Sequence, residues 1–342
     1  MKKLILSVFI GATSLSYAQK VVALHSAGTV TMYNSSNPFQ DAYTNAVDGD
    51  TIYLPGGALT PPTTIDKHLT IIGAGYNADS TTATYPTYIS TGFSLGENAD
   101  YSILEGLYIN GSINSSSNVS FSNTQIRRCY LTGGMSFIGD GTTNPIQNLM
   151  ISECVVNGGS NFQNLRNCLI TNSVFNTQVS NTYSNLFKNN VFLRNIGSTS
   201  SASARTISYA YNNTFENNVI YNSLVYSFHG DGNVYENNLF VNATPELGSS
   251  PITINNYFGV TQATVFVNEP DYIWDESDDH HLQDPVTYVG TDAAPVGVYG
   301  GYNPYKAGGV PHNPHISSKT IAPQTDASGQ LNVQFNVSAQ DN

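Results

Sequence analysis

Between residues 100 and 240 the chain repeatedly returns to one six-residue pattern: apolar, polar, polar, small, apolar, apolar. It reads Ile103-Leu104-Glu105-Gly106-Leu107-Tyr108, Ile126-Arg127-Arg128-Cys129-Tyr130-Leu131, Ile151-Ser152-Glu153-Cys154-Val155-Val156 and Ile170-Thr171-Asn172-Ser173-Val174-Phe175. Phe187-Lys188-Asn189-Asn190-Val191-Phe192, Phe215-Glu216-Asn217-Asn218-Val219-Ile220 and Tyr235-Glu236-Asn237-Asn238-Leu239-Phe240 continue it. The fourth positions advance by roughly 22 residues per step. At such a period one repeat cannot bury its apolar face alone, but a stack of repeats can. Each unit is predicted as a short strand, a tight corner and a second short strand. With β-branched and aromatic residues abundant, the class is all-β.

The corner residues carry the second signal. Asn adopts the left-handed conformation of a corner at small cost, and its amide can bond to the coil above. Asn190, Asn218 and Asn238 are therefore predicted to form an asparagine ladder, with Ser173, Cys154 and Cys129 continuing the same column. Cys129, Cys154 and Cys168 are an odd set that gives no complete disulfide framework. They are read as small buried hydrophobes, with a Cys129–Cys154 bridge left open. Glu105, Arg128 and Glu153 fall in one column, and Lys188, Glu216 and Glu236 in the next. Coils stack about 4.8 Å apart, so these are read as surface charge ladders of small energetic weight rather than a catalytic set.

The fifth positions, Leu107, Tyr130, Val155, Val174, Val191, Val219 and Leu239, alternate with the ladder. If the ladder points inward they form an outward apolar stripe that must meet a tail, a loop, a partner or a glycan. A register shifted by one residue would instead make them core.

The ends of the repeat array differ from its middle. Asn37 followed by Pro38 opens an amphipathic helix over 38–47. Asp48-Gly49-Asp50-Thr51-Ile52 and His68-Leu69-Thr70-Ile71-Ile72-Gly73-Ala74-Gly75 follow it. Near the far end stand Asp279-His280-His281-Leu282 and Val296-Gly297-Val298-Tyr299-Gly300-Gly301, with Asp284-Pro285-Val286 where a Ser-Pro-Ala is usual. Together these motifs resemble the pectate-lyase-like right-handed parallel β-helix proteins, and residues 303–316 are similar to tails on exported proteins of Bacteroidetes. The resemblance implies a right-handed parallel β-helix of about 22 residues per coil, spanning 19–301 behind an N-terminal capping helix. Residues 302–342 form a C-terminal extension with a hairpin, its strands at 316–321 and 331–337 around Asp326-Ala327-Ser328-Gly329. This hairpin is expected either to cover the open end of the solenoid or to begin an appended module.

Composition sets the compartment and removes some partners. Lys2 and Lys3, the apolar residues 4–10 and Ser16-Tyr17-Ala18 read as a secretory signal peptide over 1–18, too short to span a membrane. The mature chain is thus expected to be secreted or held at the cell surface, without a transmembrane segment. The formal net charge is −12; loss of Lys2 and Lys3 leaves 10 cations against 24 carboxylates, a net −14. Such a surface repels phosphate backbones, which argues against nucleic acid, and by bulk electrostatics it disfavours polyuronates.

Proteins of the family the chain resembles include pectate and alginate lyases, galacturonases and esterases, but also adhesins, so fold does not decide activity. A calcium-dependent lyase needs clustered carboxylates and a cationic base. The repeats contain no dense Asp cluster, and no Asp-Asp pair precedes Asp278-Asp279. The catalytic candidates are His229 and Asp231, in the glycine-rich His229-Gly230-Asp231-Gly232, with Arg194. Arg194 and Arg205 lie in or beside the long 28-residue step from 190 to 218, an insertion that could wall a cleft. Asp278, Asp279, His280 and His281 suggest a metal, but adjacent strand side chains point to opposite faces, so no metal ligand is assigned. No cofactor is expected, calcium entering only if the chain is a lyase. The expected function is a non-catalytic β-helix binding a polysaccharide or a cell-surface protein. The alternatives are a polysaccharide lyase or glycoside hydrolase, and a structural module of a surface assembly.

Overall fold

The computed structural model describes residues 20–194, 205–223 and 225–339. Residues 1–18, expected from the sequence to be a signal peptide, and residues 195–204 of the long step lie outside the described residues. The chain folds as a parallel β-helix. Among the described residues, three sheets of twelve, ten and nine strands run its length, and each coil contributes one strand to each sheet in turn. The inward column of the first sheet is apolar from Ile52 to Tyr235: Ile52, Ile71, Leu104, Ile126, Ile151, Ile170, Phe187, Phe215 and Tyr235 pair in register from coil to coil. All are fully buried. Within it Phe187, Phe215 and Tyr235 stack with centroids 4.9 and 5.3 Å apart.

At the N-terminal end, Val22–Ser26 pairs antiparallel with Thr51–Tyr53 and with Thr29–Tyr33. The helix Pro38–Asn45 lies over this end and buries Phe39 and Ala42 in the main core. Asn37 takes the N-cap position, but its side chain makes no capping bond. The helix C-terminus is held by Lys67, whose Nζ donates to the carbonyls of Tyr43 (2.8 Å) and Ala46 (2.6 Å).

The asparagine ladder forms, but the left-handed corner conformation falls on the residue before each ladder position, Asn189, Asn217 and Asn237, rather than on the ladder asparagines themselves. Asn190, Asn218 and Asn238 each accept the backbone N–H of the preceding coil's ladder residue, and Asn256 extends the column by one coil. Cys129 and Cys154 occupy the same column as free, buried thiols. Burial pushes the Cys154 thiol well above its ordinary value. A second ladder, Asn185, Asn213 and Asn233, runs along another corner, with the Cys168 N–H bonded to the Asn185 amide oxygen at its start.

The register of the first repeat differs from the sequence alignment by one residue. Leu104, not Ile103, pairs with Ile126, so Glu105 faces Arg127 and Gly106 takes the corner position of Arg128. The reason is local: Ile103 and Leu104 are both apolar, and only the pairing distinguishes them. Leu107 consequently lies in the inner core.

The outward stripe is real and covered. Val155, Val174, Val191, Val219 and Leu239 are fully buried against Val260, Val265, Phe266, Trp274, Leu282, Val296, Val298 and Tyr305. Each such burial contributes roughly 1.5–3 kcal/mol. The cover is the chain after the last coil: a hairpin of Phe266–Asn268 with Asp279–Leu282, then a return segment, 289–312. Gly297, at φ 88°, lies against Val219, where an added Cβ would come within 3.0 Å of its Cγ2.

The return segment runs back along the solenoid, gripped by the left-handed corner residues of successive coils. Asn237 Nδ2 donates to Val289 O (3.1 Å), and Asn217 accepts Thr291 N–H (3.0 Å). Asn172 Nδ2 donates to Val298 O (2.9 Å) and Gly300 O (2.8 Å). Arg128 donates to Val310 O (2.7 Å), and Glu105, the strand residue just before the Gly106 corner, accepts His312 N–H (3.0 Å). Glu105, Arg128 and Glu153 are therefore buried beneath the segment, not exposed as surface ladders.

The C-terminal hairpin forms between His315–Ile321 and Val333–Ser338. It does not cover the far end of the solenoid, where Ile252, Ile254 and Phe258 stay exposed. It lies toward the opposite end, with Lys319 over the Tyr85 ring.

Candidate functional site

Where the return segment crosses the outer face of the first sheet it leaves a cleft of about 440 Å³. The floor is a register column of four successive strands, Arg127, Ser152, Thr171 and Lys188. Alternation along each strand turns these side chains outward while Ile126, Ile151, Ile170 and Phe187 fill the core. Three coil steps of about 4.8 Å separate the two cations, so the floor is about 14 Å long with neutral hydroxyls between them. Asn172 and Asn189 line the corner side, and Tyr302, Asn303 and His312 of the return segment form the opposite wall. Tyr302 is 93% exposed at the rim.

Both floor cations hold a carboxylate. Arg127 pairs with Glu105 and Lys188 with Glu216, each at 2.8 Å. Beside them Arg128 Nε meets Glu153 Oε2 at 3.0 Å, almost wholly out of water. Burial raises the Glu153 carboxyl above its ordinary value although Arg128 draws it down. Burial and Arg128 hold His312 below the usual imidazole range, so a neutral ring faces the cleft at neutral pH. The Glu153 contribution to stability is full below its unfolded value and falls as pH rises through the raised folded one. Glu153→Gln is accordingly expected to gain on the unsubstituted protein as pH rises from about 4 to about 7 in urea melts. A difference in unfolding free energy, variant minus unsubstituted protein, that grows more positive as pH rises meets the expectation, and one that grows more negative contradicts it.

The residues singled out from the sequence lie elsewhere. His229 and Asp231 share the outer face of Phe228–Asp231 in the third sheet, with the His229 ring edge-on to Tyr209 at 5.0 Å. Gly230 between them faces inward, and a Cβ there would strike the Ala210 carbonyl. Arg194 follows Val191–Phe192, a strand of the second sheet. Burial lowers its pKa. The structure thus brings His229 and Asp231 together and places Arg194 after a strand of a different sheet. Residues 195–204, expected to wall a cleft there, lie outside the described residues. Arg205 is buried, bonded to Phe228 O (2.5 Å) and paired with Glu246 (3.0 Å).

His280 and His281 point to opposite faces, as strand alternation requires. His281 is exposed, stacked on Tyr299 and bonded to Asp279, while His280 is buried with Nε2 2.7 Å from Glu269 Oε2. Asp278 joins this pair, so that one ligating atom of each of Glu269, Asp278 and His280 lies within 4.8 Å of the others. Burial, reinforced by the Glu269 and Asp275 carboxylates, pushes Asp278 up to about 6. Sequence reasoning missed Glu269 because only the pairing of Asn268 with Asp279 brings it across to His280. One imidazole and two carboxylates do not make the oxygen-rich shell that calcium takes.

The floor of the cleft also escaped sequence reasoning, which had only Lys188 of its four residues in view, as part of a charge ladder. What was missing was the return segment that makes a cleft of them. No protein-family model matches the chain, and no curated protein matches it. Among solved structures it is similar to a mannuronic-acid-specific family 6 polysaccharide lyase from human gut microbiota, at 16% identity and a TM-score of 0.35. The match covers 63% of this chain and 54% of the lyase, little more than half its length. At that distance the lyase's chemistry does not carry over to the residues described above.

Proposed function

We propose that this chain is a secreted or cell-surface β-helix that binds a glycan, without cleaving it, in the cleft between its first sheet and its return segment. The observation that carries the reading is the lining: hydroxyls between two carboxylate-paired cations on the floor, carboxamides beside them, the apolar Met150 and Leu169, and the exposed Tyr302 ring at the rim. Rings with one polar end suit the apolar face of a sugar, and fixed hydroxyls and amides suit its hydroxyl groups. Against a lyase role, Arg127 and Lys188 are each engaged by a carboxylate, and neither stands free as a proton-abstracting base. With its net negative charge and neutralised cations, the chain favours a neutral polysaccharide over a polyuronate. The leader residues Lys2, Lys3 and Ser16-Tyr17-Ala18 support export.

Affinity electrophoresis of the purified chain through gels loaded with neutral and acidic polysaccharides tests this. Retention on a neutral glycan, little changed by salt and weakened about tenfold by Tyr302→Ala, is the expected result. Unsaturated products or new reducing ends, assayed with and without calcium, would instead make the protein an enzyme. Their loss in His229→Ala would place its chemistry on the third sheet. Retention indifferent to Tyr302→Ala would remove the cleft from the account.

A further inference from the structure

The hairpin that closes over the solenoid flank carries three ligating side chains that the cleft does not use. Glu269 follows its first strand, and Asp278 and His280 stand at the start of its second. The Glu269 and His280 side chains are 0% and 3% exposed, so neither is an incidental surface group. Glu269 is fixed from behind: its Oε1 accepts the N–H groups of Tyr272 (2.6 Å) and Asp271 (3.3 Å), leaving Oε2 toward His280. Asp278 uses Oδ2 to accept Asp275 N–H (2.6 Å). Its Oδ1 is shut away from water with no hydrogen-bond partner. A sequestered, unpartnered carboxylate oxygen beside a second carboxylate is costly unless a cation is drawn in.

We propose that Glu269, Asp278 and His280 bind a borderline divalent cation of the Zn²⁺ or Mn²⁺ type, which clamps the hairpin over the flank. One imidazole nitrogen with two carboxylate oxygens is a donor set for such ions, whereas calcium takes an all-oxygen shell. Ligand atoms within 4.8 Å of one another can surround one ion. The backbone donors behind Glu269 and Asp278 play the orienting part that outer partners play at metal sites. The consequence is mechanical. Trp274 sits in the loop between the ligands and packs on Tyr130 (5.4 Å) and Tyr76 (6.1 Å), so an ion joining 269 to 278 and 280 locks that ring onto the solenoid.

The test is calorimetric titration of the chelator-stripped full chain with Zn²⁺, Mn²⁺ and Ca²⁺, alongside thermal melting. One Zn²⁺ per chain, weaker Mn²⁺ and no Ca²⁺ at the same concentrations are expected. Zn²⁺ at about 100 times its dissociation constant should raise the melting temperature by about 5 °C. Asp278→Asn, which keeps the side chain's shape, and His280→Gln should each weaken binding at least about 100-fold. His281→Ala should leave it unchanged. Absence of saturable Zn²⁺ and Mn²⁺ binding would overturn the proposal. So would binding lost in His281→Ala but kept in Asp278→Asn, which would move the ion to the exposed Asp279–His281 pair. Far-UV circular dichroism of Asp278→Asn separates loss of the site from loss of the fold.

Discussion

Asn218→Ala is expected to lower the unfolding free energy by about 3–5 kcal/mol, through four buried side-chain hydrogen bonds lost at once. Asn218 is fully buried. Its Oδ1 accepts both the N–H (2.9 Å) and the Nδ2 (3.0 Å) of Asn190, and its Nδ2 donates to Phe187 O (2.9 Å) and Asn238 Oδ1 (2.9 Å). Alanine fills neither the space nor these bonds, and water cannot enter a column closed on both sides. Asn190 Nδ2 and Asn238 Oδ1 each keep a second partner, in Ile170 O and the residue 218 N–H. These two bonds therefore cost about 0.5–1.5 kcal/mol each, while an orphaned group such as the Asn190 N–H costs about 1–3 kcal/mol, and relaxation of the coil recovers part. Ser173→Ala in the same column should cost about 1 kcal/mol, because Ser173 Oγ makes only two such bonds, to Thr171 O and from Cys154 N–H. Denaturant melts of the two variants check the contrast, with midpoint shifts read at unchanged slope. Equal shifts would mean that the ladder's interlocking amides add nothing beyond one satisfied corner.

The parts of this fold that are legible in the sequence are those set by local chemistry repeated at a fixed period. An apolar residue at the strand centre and a corner residue able to take the left-handed conformation recur from coil to coil, joined in the later coils by an asparagine beside the corner, and the observed corners obey them. Arg128, Glu153, Asn172, Asn189, Asn217 and Asn237 all sit at φ between 46° and 58°. The second ladder is legible in the same way, since Asn185, Asn213 and Asn233 each stand two residues ahead of an inward aromatic ring.

Two things escape such reading for physical reasons. In the first repeat, two adjacent apolar residues leave the strand register open to a one-residue slip, which only the pairing with the next coil resolves. The return segment has no period of its own. Its partners lie from 52 residues away, Asn237 for Val289, to 207, Glu105 for His312, and satisfy its backbone rather than match a pattern. The apolar stripe announced that something must lie on that flank. Its outward Val155, Val174, Val191 and Val219 could not say that the chain itself would return to do so, and the cleft exists only because it does.

Arg128→Ala should therefore reach further than its own coil. Arg128 is 1% exposed, paired with Glu153 and bonded to Val310 O at 2.7 Å, so it ties the return segment to the stack. Alanine leaves the Glu153 charge buried without its partner, a loss of about 3–5 kcal/mol. The least costly relief is local: the segment lifts and lets water reach the carboxylate, while the ladder-bonded coils remain. Native-state trypsin cleavage at Lys306 is thus expected to rise at least about tenfold, a change the coils themselves should not share. Because Tyr302, Asn303 and His312 ride on that segment, glycan retention by the cleft should fall with it, although Arg128 does not line the cleft. The double variant Arg128→Met with Glu153→Met removes both charges and keeps most of the volume, so it should recover most of the stability and the protease resistance. If the double variant stays as open to trypsin as Arg128→Ala, the bond to Val310 rather than the charge pair holds the segment down, and the corner asparagines become its principal anchors.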